Sequence, residues 1–554
     1  MSAEQLDALI REYSDSFFMH SPVMASVLGV HKYDGELGDF SREALEEKAR
    51  RLKDLRRRSA AALGEGGAKK SGLPLEKEID AELLMNRIDL DLLDLEKTRI
   101  PYVMPSFYAD NCLYGVFVLT ARDFAPMKDR VPSIVSRLRQ IPAFLDTAKR
   151  NLEEPPEIYT KVAIEVSRGG AAFMDETTAC VASAAPGEAS KVEEAAGAAK
   201  RAFEDFVRYL EEDLLPRSRG NFALGEDLYN QRLKIEHMLD KTAQEIGLFG
   251  RRLVDGTKRE MKDLASRIRG GAHWREIIAD TKKRHPEAHE IKTSYQREMD
   301  RARRFVEEKD LVTIPPDEVL TIVDTPVFER SIIPYAAYLA PGPFEKVQEG
   351  LFYVTPVDES APADQREDQL SGHNFSSLAI TALHEAYPGH HLQLVRSNKN
   401  PSIIRKLVES SVFAEGWALY CEEMMYRQGF YPDDETRLYQ MKDGLWRAAR
   451  VVIDVGLHTG EMSFDEGVDF LVDQAMIERT NAIAEVKRYT MTPTQPMSYS
   501  VGKMQIMDLL GAARTLKNDL DLKGFHDLLL DSGTIPPAAV RREVLARLSL
   551  AAVK

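Results

Sequence analysis

The sequence has only three cysteines, Cys112, Cys180 and Cys421, an odd number scattered through 554 residues. They cannot build a disulfide framework, and none stands in a context that would make it a nucleophile. Each is therefore expected to be a small buried hydrophobe, and the cytoplasm to be the compartment. Long apolar runs are missing too, since no stretch approaches the ~20 residues of a membrane span. The N-terminal MSAEQLDALIREYSDSFF lacks the basic start and apolar run of a signal peptide and reads as an amphipathic acidic helix. Positive charge is not in surplus: 74 Lys and Arg stand against 89 Asp and Glu, a net charge of −15. Such a balance argues against nucleic acid or an anionic membrane as partner. The charges are interspersed, as on a solvated surface, and there is no internal repeat.

With 44% hydrophobic residues the chain can bury a large core, and no clear linker divides it. The expectation is a mainly α, multi-helical single domain over 1–554, with a small β-sheet beside a deep cleft. Residues 1–310 read as helices: REALEEKARRLKDLRRRSAAAL and KEIDAELLMNRIDLDLLDLEK carry apolar residues at three and four spacing, opposite charged faces. Leu63 to Pro74 reads as an exposed loop, Pro186 and Gly187 interrupt the Ala-rich helix from Ala182 to Ala202, and His237 reads as structural. In 311–360 the pattern changes. VLTIVDTPVFE and GLFYVTPVD read as short strands, with PYAAYLAPGPFE a loop between them. An exposed strand edge there would hold an extended peptide, with Tyr335, Tyr338 and Tyr353 lining the cleft. Residues 361–554 read as helical again.

The segment Thr381 to Gln393, TALHEAYPGHHLQ, gathers three of the twelve histidines within eight residues, in otherwise apolar surroundings. Buried imidazoles without partners are costly, so a metal is the natural occupant. His384 is followed by Glu385, in the relation a zinc hydrolase needs between a ligand and the general base that takes a proton from the metal's water. The spacing departs from HExxH, because Pro388 stands where the second histidine would be and cannot donate to the carbonyl of His384. On an unbroken helix His391 would return to within roughly 20° of His384 and His390 would lie about 120° away. A bulge at Pro388 and its neighbour restores a Gly-His pair to the ligand register. His390 is thus the second ligand expected, with His391 as the alternate. Downstream, Phe413 to Glu423, FAEGWALYCEE, puts Glu415 on a mostly apolar helix. A carboxylate there wants a cation, either the metal or an arginine. Glu422 and Glu423 read as solvated or as supports of the ligands.

HEAYPGHHLQ with EGWALYCEE, VVIDVGLH and QPMSYSVGK resembles the bacterial DUF885 family, itself similar to helical, deep-cleft, zinc-dependent carboxypeptidase-like metallopeptidases. The resemblance implies one catalytic domain, a bound zinc and peptidase activity. Two further constellations fit it. In LWRAARVVIDVGLHTGE, His458 with Asp454 one turn before it would donate to an oxyanion, and Arg447 or Arg450 would grip a substrate carboxylate. The competing reading is a helix C-terminus, ended by Gly456 and capped by His458. In EVKRYTMTPTQPMSYSVGK, Tyr499 matches the family's place for a hydroxyl that donates to the oxyanion, while Arg488 and Lys503 are candidates for anchoring a substrate carboxylate. A tyrosine packed with a wet hydroxyl is the alternative.

The expected protein is therefore a hydrolase of short peptides, an exopeptidase acting at a free C-terminus. It would hold one Zn²⁺ per chain on His384, His390 and Glu415, with Glu385, Tyr499 and His458 catalytic. Its rivals are a metal-dependent hydrolase of other amides or esters and a non-catalytic peptide-binding protein.

Overall fold

A computed structural model describes residues 2–63, 72–326, 330, 333 and 335–552. Most of the loop expected from Leu63 to Pro74 lies outside the described residues. The chain is mainly helical, with one small sheet, and divides into two compact units.

The first unit comprises Met1–Phe222 with two later excursions, Gly342–Val347 and Ser402–Leu407. Its long helices are α1 (Ala3–His20), α2 (Arg42–Leu63), α3 (Leu75–Glu96), α4 (Ser106–Ala121), α5 (Met127–Asn151), α6 (Glu157–Ala184) and α7 (Ala189–Tyr209). The break expected at Pro186 is there, as a 3₁₀ turn between α6 and α7. Helix α1 starts on a capping box in which Ser2 and Gln5 satisfy each other's backbone N–H groups. Helix α7 buries Val192, Ala195, Ala196, Ala199, Phe203 and Phe206, the three-and-four spacing of one apolar stripe. Both excursions are held by charge. Arg405 Nε donates to Asp80 Oδ1 at 2.7 Å, and both side chains are buried. His31 bridges Asp34 (Nδ1–Oδ2 2.9 Å) and Glu345 (Nε2–Oε1 3.1 Å), its ring stacked 3.8 Å from that of Phe124. Burial pulls the His31 imidazole down, but the two carboxylates outweigh it and hold it at about 9.

The second unit comprises Ala223–Pro341, Gln348–Pro401 and Val408–Lys554. It opens with helices α8 (Glu226–His237), α9 (Ala243–Ile268), α10 (Trp274–Lys282) and α11 (Ile291–Glu308). Strands β1 (Val319–Asp324), β2 (Ala336–Leu339) and β3 (Glu349–Val354) follow, and after them α12 (Ala363–Gly372) and α13 (Phe375–Glu385). Strand β3 is central, parallel to β1 and antiparallel to β2. The loop expected over PYAAYLAPGPFE is in part strand β2, because Ala336 to Leu339 pair with Val354 to Leu351. Four residues of weak strand character are recruited by the ladder rather than by their own propensity.

The remaining helices are α14 (His390–Ser397), α15 (Ser411–Arg427), α16 (Asp434–Thr459), α17 (Phe464–Ala475), α18 (Arg479–Met491), α19 (Ser498–Leu516), α20 (Leu522–Asp531) and α21 (Pro537–Ala552). Helix α16 runs past Gly456 and is closed by Gly460 in the left-handed region, φ 80°. The helix end expected at Gly456 is therefore a turn too early. Met261, Leu264, Ile277, Leu438, Leu445 and Ala448 belong to the apolar core joining α9, α10 and α16. No helix among the described residues is long and apolar enough to cross a membrane.

Candidate metal centre

Pro388 does break the helix. Helix α13 stops at Glu385, and α14 begins at His390 after a backbone reversal at Gly389. A β-carbon on Gly389 would lie 1.8 Å from the carbonyl oxygen of His384, so only glycine lets the chain fold back this tightly. The Pro388 carbonyl accepts from Trp417 Nε1 at 2.8 Å, tying the turn to α15.

This turn swings His390 back onto His384, their ring centroids 4.9 Å apart and nearly perpendicular. Glu415 completes the group from α15: its Oε2 lies 3.1 Å from His390 Nε2 and 3.8 Å from His384 Nε2. One donor atom from each of the three falls within 4.8 Å of the others, the only such cluster of three or more among the described residues. Ligands on a tetrahedral zinc at ~2.0–2.1 Å stand roughly 3.4 Å apart, so donor set and spacing both fit zinc. Glu415 is held well below the usual carboxylate range: burial pushes it up, but the His390 and His384 imidazoles outweigh that. The same bonds, with Glu422, raise His384 to about 10 against the opposing pull of burial.

Behind this cluster lies a second set of contacts. His384 Nδ1 bonds Glu422 Oε1 at 2.8 Å, leaving Nε2 to face Glu415. Glu422 is fully buried, and its other oxygen accepts from Gln440 Nε2 at 3.1 Å. His391 is not in the cluster. Its Nε2 bonds Glu318 Oε2 at 2.5 Å and its Nδ1 meets the Tyr338 hydroxyl at 2.9 Å, so both ring nitrogens are spent. Glu318 also accepts from Arg303 Nη1 at 2.5 Å and from the Tyr387 hydroxyl at 2.7 Å. Gly350 on β3 makes room for this pair, since a β-carbon there would meet the Tyr338 hydroxyl at 2.6 Å and His391 Nδ1 at 2.7 Å. Glu318 is the residue that sequence reasoning missed. It precedes a strand, in no helical register with the histidines, and nothing local marks it.

Glu385 ends α13 half-buried, and its carboxylate takes no hydrogen bond or ion pair among the described residues. Helices α15 and α19 meet at a pair of glycines, where a β-carbon on Gly502 would lie 1.8 Å from the Val412 carbonyl oxygen and 2.7 Å from Gly416 Cα. This close approach brings Tyr499 into electrostatic range of Glu415. Burial first, then Glu415, pushes the Tyr499 hydroxyl up to about 12 against the opposing pull of Arg450, Arg488 and Arg447.

The other sequence candidates fall differently. Arg450 donates from Nε to the Tyr489 hydroxyl (2.8 Å) and from Nη2 to Glu485 (3.0 Å), and Arg488 shares that carboxylate at 3.0 Å. Arg450 keeps its guanidinium 4.7 Å from the Tyr499 ring centroid. Lys503 stands 3.7 Å from Glu423, which Arg427 and Arg437 also pair. The structure does not bring His458 to an oxyanion position. It is fully buried, with Nε2 bonded to the Tyr489 carbonyl oxygen at 3.0 Å and the ring stacked on Tyr229. Asp454 does not orient it either: its oxygens accept from the backbone N–H groups of Thr494 (3.2 Å) and Met497 (3.1 Å), which hold the turn just before Tyr499.

The profile of a family described as bacterial protein of unknown function (DUF885) matches residues 22–544. The chain is similar in structure to a protein of Shewanella oneidensis described as a presumed lipoprotein of unknown function. That likeness has a TM-score of 0.79 and 25% identity, covering 98% of this chain and 100% of that one. It also resembles a protein of Colwellia psychrerythraea described as a presumed lipoprotein, with a TM-score of 0.84 and 18% identity over 99% of both chains. No curated protein matches it.

Proposed function

The chain belongs to the DUF885 family, and we propose that this member is a zinc-dependent peptidase of short peptides, an exopeptidase of carboxypeptidase type. One observation carries the reading. His384, His390 and Glu415 bring one donor atom each within 4.8 Å of the others, while Glu385, beside the first of them, keeps a carboxylate without a partner among the described residues. A purely structural metal site has no use for a free base at that position.

His384, His390 and Glu415 would hold the zinc, which when bound supplies a Lewis acid that brings water ionisation near neutral pH. Glu385 accepts the proton of the attacking water and returns it to the leaving amine nitrogen. Glu422 holds the proton on His384 Nδ1 and so keeps Nε2 free as a donor. Tyr499 donates its hydroxyl proton in a hydrogen bond to the carbonyl oxygen as that oxygen gains negative charge. A phenol kept at about 12 stays protonated at neutral pH and retains that ability.

The test combines elemental analysis with a substrate panel. About one zinc per chain, lost in His384→Ala, with turnover of dipeptides that Glu385→Gln abolishes, is the expected result. Turnover of non-peptide amides or esters alone would overturn the peptidase reading, and a chain without metal would overturn all of it.

A further inference from the structure

Beside Tyr499, helix α16 carries buried donors without a partner among the described residues. Trp446 Nε1 and Arg447 Nε are buried, and neither has a hydrogen-bond partner among the described residues. The two side chains lie together, the Arg447 guanidinium 4.9 Å from the Trp446 ring centroid and 6.0 Å from that of Tyr499. Arg450 packs at 4.3 Å from the same Trp446 ring.

The charges here do not balance. Arg447, Arg450 and Arg488 all act on Tyr499, yet among the described residues direct ion pairs give Arg450 and Arg488 a single carboxylate between them, Glu485. The nearest carboxylate to Arg447 is Asp443, 3.8 Å away and closer to Lys442 at 3.2 Å. Crowded guanidiniums repel one another in partly buried surroundings, and an indole N–H has no acceptor role to fall back on. A planar anion satisfies both, because a guanidinium fork matches a carboxylate bidentately and the indole supplies a third donor.

We propose that Trp446 and Arg447 form an anion subsite that takes the α-carboxylate of a peptide's free C-terminus. It rests on the peptidase reading and names the feature of the substrate that the site selects. Arg450 and Arg488, bonded to Glu485, then act as the fixed wall behind it rather than as the carboxylate's own partners. The Tyr499 ring lies 6.0 Å from the Arg447 guanidinium, and its hydroxyl feels the charge of Glu415 as well, so a carboxylate held by Arg447 would bring the C-terminal peptide bond into the neighbourhood of Tyr499.

The test is direct binding, by calorimetry, of glycyl-phenylalanine and of its C-terminal amide to zinc-loaded Glu385→Gln protein, where turnover does not interfere. The acid is expected to bind at least about 10-fold tighter than the amide, the worth of a hydrogen bond to a charged group. Trp446→Phe, which keeps the ring and loses only the N–H, and Arg447→Gln should each erase most of that preference, with Arg447→Lys restoring part of it. Unchanged melting curves would show that the variants remain folded. Equal binding of acid and amide, no binding of either, or a preference that survives in both variants would overturn the subsite. Preferred binding of the acid by a protein whose wild type cleaves no peptide would overturn the hydrolase reading and leave the subsite standing. Cleavage of acids and amides alike would do the reverse.

Discussion

Glu422 Oε1 sits 2.8 Å from His384 Nδ1, and both side chains are buried, so one carboxylate sets which nitrogen of His384 faces Glu415. Replacing Glu422 by Gln leaves the shape intact but permits the amide to present its N–H to Nδ1. The other tautomer is then favoured, with Nε2 carrying the proton. Zinc affinity is expected to fall by about 10–100-fold, the usual cost of losing such a support, and a chelator competition assay would measure it.

Gly389→Ala puts a methyl group 1.8 Å from the His384 carbonyl oxygen, and a backbone atom cannot rotate away. The turn must open, moving His390 off His384. Loss of stability of about 1–3 kcal/mol by urea titration is expected, together with loss of bound zinc. Gly187→Ala is the control, since nothing lies within 4 Å of the β-carbon it would add.

Under the proposed mechanism, Tyr499→Phe would remove one donor to the developing oxyanion and leave His384, His390 and Glu415 in place. A drop in kcat of about 10²–10³-fold with zinc content unchanged is expected. Asp454→Ala should mimic this in part. Without that carboxylate the buried N–H groups of Thr494 and Met497 lose their acceptors and the turn ahead of Tyr499 loosens, at about 1–3 kcal/mol each. Denaturant titration separates this loss from the purely kinetic effect of Tyr499→Phe.

His31, in the first unit, gives a pH signature of its own. Its pKa is raised in the folded chain to about 9 from an unfolded value of 6.5. Its contribution to stability is therefore complete below about pH 6.5 and is lost as pH rises through about 9. The urea midpoint should fall over that window, and His31→Gln should flatten the slope. An imidazole NMR signal titrating near 6.5 would contradict it.

Much of this was legible in the chain. Helix periodicity located the helical segments and the change of pattern near residue 311, because amphipathic spacing is written locally. The clustering of His384, His390 and Glu415 was legible as well. Pro388 and Gly389 announce a break, and a break is what brings His390 rather than His391 onto His384. The partners of His391 were not, since Glu318 comes from a segment with no periodic relation to it. The Asp454–His458 pair misled because i,i+4 spacing brings the two only to 3.9 Å, and tertiary neighbours, the Tyr489 carbonyl and the Thr494–Met497 turn, claim their polar atoms instead. Strand β2 was hidden for a similar reason, its structure being imposed by β3.

The pairing of Asp80 with Arg405 bears on how this protein comes off the ribosome. The first unit reads as an N-terminal block, but it cannot close when residue 222 emerges, because two of its pieces are encoded far downstream. Until Ser402–Leu407 has been synthesised, a carboxylate destined for burial has no counter-ion. A fragment cut at residue 222 would inherit that same unpaired acid permanently, so the first unit cannot be excised at that point without losing part of itself.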